Sequence, residues 1–292
     1  MTAYGVPVLA ALFLWWFSTG AVFWLVGRRR WNPLIAQTAA TGSLALALAG
    51  LVQIRGEATV TAAYLSFACG VVAWAWLEVM FLTGGLTGPR KIPCPPRADG
   101  LRRFVLAVET VLWHEAAAAA LGVLMVWISW GHPNQVGAWT FVLLLAMRVS
   151  AKFNLFMGVP YPPAELLPAH LAHMGSYFRR RAITPLMPAA ITLATLVAAL
   201  VAWRAVDPAA TDFDAVGYTL FGTMLALGIV EHWLMILPLK ESVLWRWFME
   251  TDLQAATRPA TDCDRSNAHA HHTFQQRRAP ELARIAETPT GG

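Results

Sequence analysis

The sequence predicts an all-α integral membrane protein: a bundle of seven transmembrane helices, with a periplasmic N-terminus and a cytoplasmic C-terminus. Composition is the first reason, because the 292 residues are 57% hydrophobic and only 13% charged. A soluble domain is usually about 45–50% apolar and about 25% charged. The second reason is seven apolar stretches, each near the ~20 residues that cross a bilayer core. The third is that basic residues alternate between successive connections.

The seven predicted spans follow one another with mostly short connections. No basic segment or cleavage site accompanies the first, so we interpret it as a retained helix and not as a signal peptide. Ten-residue segments of alternating hydrophobicity, typical of membrane β-barrels, are absent from the sequence. The predicted spans are 7–26, 34–54, 61–83, 104–130, 136–157, 183–203 and 215–237.

The distribution of Lys and Arg predicts the orientation. The first, third and fifth connections and the segment after residue 237 carry 18 of the 22 basic residues. The second, fourth and sixth connections carry two. Because connections rich in Lys and Arg stay in the cytoplasm, we expect the N-terminus outside and the C-terminus inside.

The C-terminal part of the sequence changes character after the last span. The stretch Leu239–Met249 mixes charged and apolar residues, including Trp245 and Trp247, which is typical of a short interfacial helix. Beyond it the sequence is polar and has no apolar period. We therefore expect a membrane domain over 1–252 and a disordered cytoplasmic tail over 253–292.

Ionisable side chains inside the predicted spans are the candidate functional residues, since charge within a bilayer is unfavourable by at least ~2.5 kcal/mol. Counted from the span ends, they lie in the cytoplasmic half of the membrane or near its middle. We therefore expect a shared polar pocket that opens toward the cytoplasm. The polar residues are Glu78 in span three, Glu109, His114 and Glu115 in span four, Arg148, Lys152 and Asn154 in span five, and Glu231 and His232 in span seven.

Four hypotheses fit this set. The first is internal ion pairing that holds the bundle together, and the second is transport of protons or ions. The third is a metal site made by Glu78, Glu115 and Glu231 with His114 and His232, although the Glu-x-x-His spacing of di-iron bundles is absent. The fourth is a tetrapyrrole site. His114 or His232 would then ligate the magnesium of bacteriochlorophyll or a precursor, Gly228 would leave room for the ring, and Arg148, Lys152 and Asn154 would complete the cofactor site.

No motif identifies a catalytic residue. The sequence has no glycine-rich nucleotide loop, serine nucleophile elbow or HExxH. Its three cysteines lack CxxC spacing, which argues against a zinc ribbon or a disulfide framework. The cations outside the spans lie at membrane ends, where they indicate orientation, so we expect no nucleic-acid partner.

The chain resembles the photosynthetic complex assembly proteins (PuhE-type) encoded beside the reaction-centre H subunit in purple phototrophic bacteria. The match covers about residues 10–250. Its motifs are WWFSTG from Trp15, FLTGGLTGPRKIPCPP from Phe81, WGHPNQVGAWTF from Trp130, MRVSAKFNLFMGVP from Met147, Ser176 to Arg181, and Glu231-His232-Trp233.

The resemblance implies a membrane factor that helps to build the reaction centre and its antenna and is linked to bacteriochlorophyll supply. The implied location is the cytoplasmic or intracytoplasmic photosynthetic membrane. The implied partners are lipid, reaction-centre and antenna subunits, and proteins of pigment biosynthesis. The alternative is an enzyme or transporter that acts on a bacteriochlorophyll precursor or a metal through the same Glu, His, Arg and Lys residues.

Overall fold

The computed structural model describes residues 2–26, 32–164 and 167–238, which form seven long α-helices. Each helix is long and apolar enough to cross a membrane, which indicates a multi-pass membrane protein. The helices are α1 (Thr2–Val26), α2 (Pro33–Ile54), α3 (Val60–Leu82), α4 (Gly100–Ser129), α5 (Val136–Met157), α6 (Leu186–Ala205) and α7 (Asp212–Leu234). In these ranges extended pairing is limited to one isolated bridge, between Val159 and Arg180.

The observed helices agree with the predicted spans, and local chemistry explains where the ends differ. α7 begins three residues before the predicted start because Thr211 and Asp214 form a capping box. It ends before Pro238, which cannot continue a helix. α6 begins at the residue after Pro185, which occupies the N-cap position. The predicted interfacial helix and tail lie outside the described residues.

Helix α3 lies in the middle of the bundle, where it packs against α1, α2, α5 and α7 and more loosely against α4. α7 packs in turn against α6, α1 and α5. Phe67 and Leu220 are fully buried in the core shared by α1, α3, α5 and α7, and Leu77 and Phe141 in the core shared by α2 to α5. These contacts fix the relative position of the helices that carry the candidate site.

The bundle has two different ends. At one end the short turns after α2 and α4 join directly, since Asn134 donates hydrogen bonds to the carbonyls of Ile54 and Ala62. At the other end α1, α3, α5 and α7 finish, and long connections follow α3 and α5. We call this second end the basic end. Which side of the membrane it faces stays a prediction.

The long connections at the basic end fold onto each other. The connection after α5 contains a 3-10 helix, Ala169–Tyr177, which contacts α4. The backbone N–H of Cys94, after α3, donates to the Ser176 hydroxyl at 2.8 Å. Gly84 has φ +77°, and the His170 ring covers its open face. The contacts between these two connections were not predicted from the sequence.

Candidate functional site

An ion pair between α3 and α5 lies near the basic end. Arg148 Nη2 donates to Glu78 Oε1 at 2.5 Å. The Arg148 guanidinium also lies 5.9 Å from the centre of the Trp74 ring. The side chains of Arg148 and Glu78 remain 39% and 18% exposed. The pair is therefore reachable from a neighbouring cleft.

A second ion pair joins α5 to α4. Lys152 Nζ donates to Glu115 Oε1, and the same ammonium lies 6.0 Å from the centre of the Phe81 ring on α3. Arg148 and Lys152 are four residues apart, so they share one face of α5. Each of the two cations predicted for a cofactor site thus already has a carboxylate partner.

Glu231 on α7 is the third carboxylate of this region and is exposed. It lies within electrostatic range of Arg148 and Glu78, but within the described ranges it has no ion-pair partner. Among the described residues, Glu78, Glu115 and Glu231 therefore face two cations, Arg148 and Lys152. When all five are ionised, this group of described residues has a net charge of −1.

A cleft between α1, α3, α5 and α7 exposes this charge. Glu78, Arg148 and Glu231 line it together with the hydroxyl residues Ser18 and Thr19 of α1. Its volume is about 120 Å³. That space has room for the end of one polar side chain or a small ion.

His114 lies beside the second ion pair and is 2% exposed. Its ring packs on Phe81 with centroids 4.8 Å apart, and its backbone N–H donates to the Thr87 carbonyl at 3.0 Å. Its Nδ1 atom is buried and has no hydrogen-bond partner in the described structure. A buried imidazole nitrogen in this position does not offer an open coordination site to a large planar ligand.

His232 belongs to a different contact, between α7 and Ser150 of α5, and Asn154 lies one turn after Ser150 on α5. His232 is 1% exposed, and its Nδ1 lies 2.8 Å from the Gly228 carbonyl. A carbonyl oxygen only accepts, so Nδ1 carries the proton and neutral Nε2 accepts from the Ser150 hydroxyl at 2.9 Å. Asn154 is fully buried and donates to the Ser150 carbonyl at 3.0 Å.

The space expected for a ring beside Gly228 is occupied. A Cβ atom added to Gly228 would lie 2.9 Å from the Met147 methyl group, so the glycine allows α5 to pack closely against α7. The structure therefore uses Gly228 and His232 for helix packing. The tetrapyrrole hypothesis instead requires an open position for a ligand at His232 and free space beside Gly228.

The residues predicted to hold a metal are not brought together. Among the described residues, no three His, Cys, Asp or Glu side chains converge to hold an ion. Glu78 forms an ion pair with Arg148, and Glu115 forms a separate one with Lys152. His232 is hydrogen-bonded to Ser150. The chemistry that this arrangement supports is binding of one cationic group or proton by the cleft, not coordination by five ligands.

Arg103 is an important buried residue that the sequence reasoning treated as an ordinary loop cation. It is 4% exposed. Its Nη1 donates to the Phe156 carbonyl at 3.2 Å and its Nη2 to the Tyr177 carbonyl. Arg103 precedes Thr110 and His114 by 7 and 11 residues, a helical spacing that places all three on the buried face of α4. That spacing was the signal available in the sequence.

Comparison with known proteins gives one family and one relative. The family model described as "Protein of unknown function (DUF3623)" matches residues 1–256. A Rhodobacter capsulatus protein described as "Uncharacterized 30.4 kDa protein in puhA 5'region" is 38% identical over 245 residues, covering 82% of this chain and 89% of the relative. No solved structure matches the chain. Because the family model spans all seven helices and every residue of the cleft, the chain belongs to the DUF3623 family.

Proposed function

We propose that this protein is an assembly factor, of the PuhE type, for the bacterial reaction-centre and light-harvesting complex, and that it acts without catalysis. The description of the Rhodobacter capsulatus relative supports a role in photosynthesis, since it places that protein in the 5' region of puhA, the gene of the reaction-centre H subunit. The seven membrane-spanning helices support a site of action within the bilayer.

The observation that carries the mechanism is that Glu231 lines the cleft and has no ion-pair partner among the described residues. An unpaired charge within a membrane is unfavourable, so a cationic group that enters the cleft gains electrostatic energy there. The volume of the cleft matches the end of one Lys or Arg side chain. We infer that the cleft holds a basic side chain on a transmembrane segment of a nascent reaction-centre or antenna subunit.

Ligation of bacteriochlorophyll or a precursor by His114 or His232 stays a prediction. Both rings are buried, and Ser150 and Gly228 occupy the two nitrogens of His232. Pigment binding at either position therefore requires the helices to separate. An acidic group of a pigment would also have to displace Glu78 or Glu115 from the cations.

The location follows from the same proposal. With the basic end in the cytoplasm, as the positive-inside rule predicts, the cleft lies in the half of the membrane that faces the site of subunit synthesis. We place the protein in the inner membrane or the intracytoplasmic photosynthetic membrane. There it would contact lipid, the reaction-centre and antenna subunits, and proteins that supply pigment.

The test is complementation of a deletion strain of the phototrophic host with variants of the cleft. Glu231→Gln keeps the shape of the side chain and leaves the Glu78–Arg148 pair in place. We expect it to lower the amount of assembled complex at least threefold, measured from the near-infrared absorption of membranes, at an unchanged level of the variant protein. The matched control is Glu57→Gln, an exposed carboxylate at the opposite end, which should complement fully.

Two results would overturn the proposal. One is a deletion strain with a normal amount of reaction centre and antenna, and the other is full complementation by Glu231→Gln. Conversion of an added bacteriochlorophyll precursor by the purified protein would instead support the enzyme hypothesis. Pigment and metal analysis of protein extracted gently from its native membrane provides the accompanying readout for a bound cofactor.

A further inference from the structure

The ordered layer at the basic end is a surface that the cleft does not explain. We define it as the basic cap, residues 83–107 and 167–181. It contains the connection after α3, the first two turns of α4 and the 3-10 helix. Eight of its residues are basic and, with Glu109 beside it, two acidic residues oppose them, leaving a net charge of +6. The basic residues are Arg90, Lys91, Arg97, Arg102, Arg103, Arg179, Arg180 and Arg181.

The basic cap is held together by hydrogen bonds between its separate segments. Tyr177 is the centre: its carbonyl accepts from Arg103, its hydroxyl accepts from Arg90 Nε at 2.5 Å, and the same hydroxyl donates to the Ile92 carbonyl at 3.2 Å. Arg90 is also 3.9 Å from Glu109. A flexible polybasic segment suffices to attract anionic lipid, so this degree of order requires a different explanation.

Part of the basic cap projects beyond the end of α3. α4 has 30 residues and α3 has 23. At the opposite end the start of α3 lies near the end of α4, because the turns around Arg55 and Asn134 connect them by hydrogen bonds. At 1.5 Å per residue, the start of α4 therefore extends about 10 Å past the end of α3. Seven residues of α4 account for this extension, so Glu109, the tenth residue of α4, lies alongside the end of α3 and 3.9 Å from Arg90.

Exposed apolar side chains lie among the cations of the projecting part. Leu101 is 76% exposed, and it precedes the exposed Arg102. Ile92 is 57% exposed and follows the exposed Lys91. Arginine and apolar residues side by side are typical of protein interfaces, where Arg is enriched and the centre is apolar. A preformed surface also loses less conformational entropy when it binds.

We propose that the basic cap is a docking surface for an acidic, folded region of a partner protein at the same membrane surface. Charge complementarity selects this partner, because a surface of net charge +6 accelerates and orients the approach of an acidic one. The chain's own residues 239–292 do not have the complementary charge, since they carry seven basic and seven acidic residues. The proposal does not depend on the assembly function.

The test is site-specific crosslinking of the full-length protein in its native membrane. A photoreactive amino acid replaces Leu101, and a second strain carries it in place of Leu46, an equally exposed residue on the side of α2. We expect the Leu101 probe to give a crosslinked peptide from one protein, with an excess of Asp and Glu around the crosslinked residue. The Leu46 probe should not give that peptide.

Charge dependence completes the test. Arg97→Gln with Arg102→Gln should reduce the yield of the crosslinked peptide at least fivefold, and 0.5 M salt should reduce it similarly, because salt screens exposed charges. The matched control, Arg204→Gln at the opposite end, should leave the yield unchanged. Three results would overturn the proposal. These are crosslinks to lipid alone, crosslinks to residues 239–292, and a crosslinked peptide whose yield is unchanged by both the substitutions and the salt.

Discussion

At the scale of single residues, four charged side chains within the bundle form two ion pairs across helices. Glu78 joins α3 to Arg148, and Glu115 joins α4 to Lys152. A buried ion pair is weak support for stability, because desolvation offsets much of the attraction. Loss of one partner is different, since the remaining charge then has no counter-ion in a medium of low dielectric constant.

This asymmetry gives a prediction for the Glu78–Arg148 pair. Glu78→Gln should destabilise the protein by about 1–3 kcal/mol, between the values for exposed and fully buried pairs. Glu78→Gln combined with Arg148→Met should be less destabilised than Glu78→Gln alone. Thermal unfolding in detergent, followed by tryptophan fluorescence, measures both. Additive losses in the double variant would contradict the pair as a coupled unit.

The sequence identified most members of the polar network but not their partners. Glu78, Glu115, Arg148 and Lys152 were found because any charge within an apolar span is conspicuous. Hydrogen bonds were not readable in the same way: Ser150, which binds His232, is an ordinary residue in a helix. Partner choice depends on helix rotation and on the relative heights of two helices, which a hydropathy pattern does not contain.

At the scale of elements, the glycine-rich connection after α3 rests directly on the backbone of α4. A Cβ atom on Gly88 would lie 2.0 Å from the Glu109 carbonyl oxygen and 2.5 Å from the Thr110 carbonyl carbon. The same connection supplies the Thr87 carbonyl that accepts from the His114 backbone. Gly88 is therefore required where the basic cap meets the polar network.

Gly88→Ala should lower the stability of the protein by about 1–3 kcal/mol, the usual effect of overpacking, because backbone cannot rotate away as a side chain can. Gly42→Ala is the matched control: nothing lies within 4 Å of its added Cβ on α2, so its effect should stay below about 1 kcal/mol. Limited proteolysis of the connection should accelerate only in Gly88→Ala. Equal behaviour of the two variants would contradict the contact.

Small residues recur on α2, where Ala39 is exposed and Ala47 is buried. The backbones of α3 and α5 approach each other closely at two glycines. A Cβ on Gly70 of α3 would lie 2.6 Å from the Gly137 carbonyl oxygen on α5, and the Gly137 N–H donates to the Ser66 hydroxyl at 2.9 Å. Small residues permit such close helix crossings. Small residues occur at many positions in the spans, and the position of the partner helix determines which of them lie at a crossing.

At the scale of the whole molecule, span number and approximate limits were predictable because the bilayer imposes one length and one polarity on every helix. The ordered contacts of the basic cap were not predictable. Outside the hydrocarbon core, polar segments have no periodicity that distinguishes an ordered layer from a loose loop. The 3-10 helix around Met174 is an example: it is short, and its order depends on contacts with α4.

The orientation of the molecule is the prediction that every functional proposal above requires. Among the described residues, the basic cap has eight cations, whereas the opposite end has Arg55 and Arg204. The positive-inside rule therefore places the basic cap in the cytoplasm. Single-cysteine variants Glu57→Cys and Arg97→Cys, made in a chain with Cys69, Cys94 and Cys263 replaced by Ser, report on exposed sites at the two ends. A membrane-impermeant maleimide should label Glu57→Cys in spheroplasts, and Arg97→Cys only after permeabilisation. The reverse pattern would put the cleft and the basic cap on the periplasmic side, away from newly made subunits.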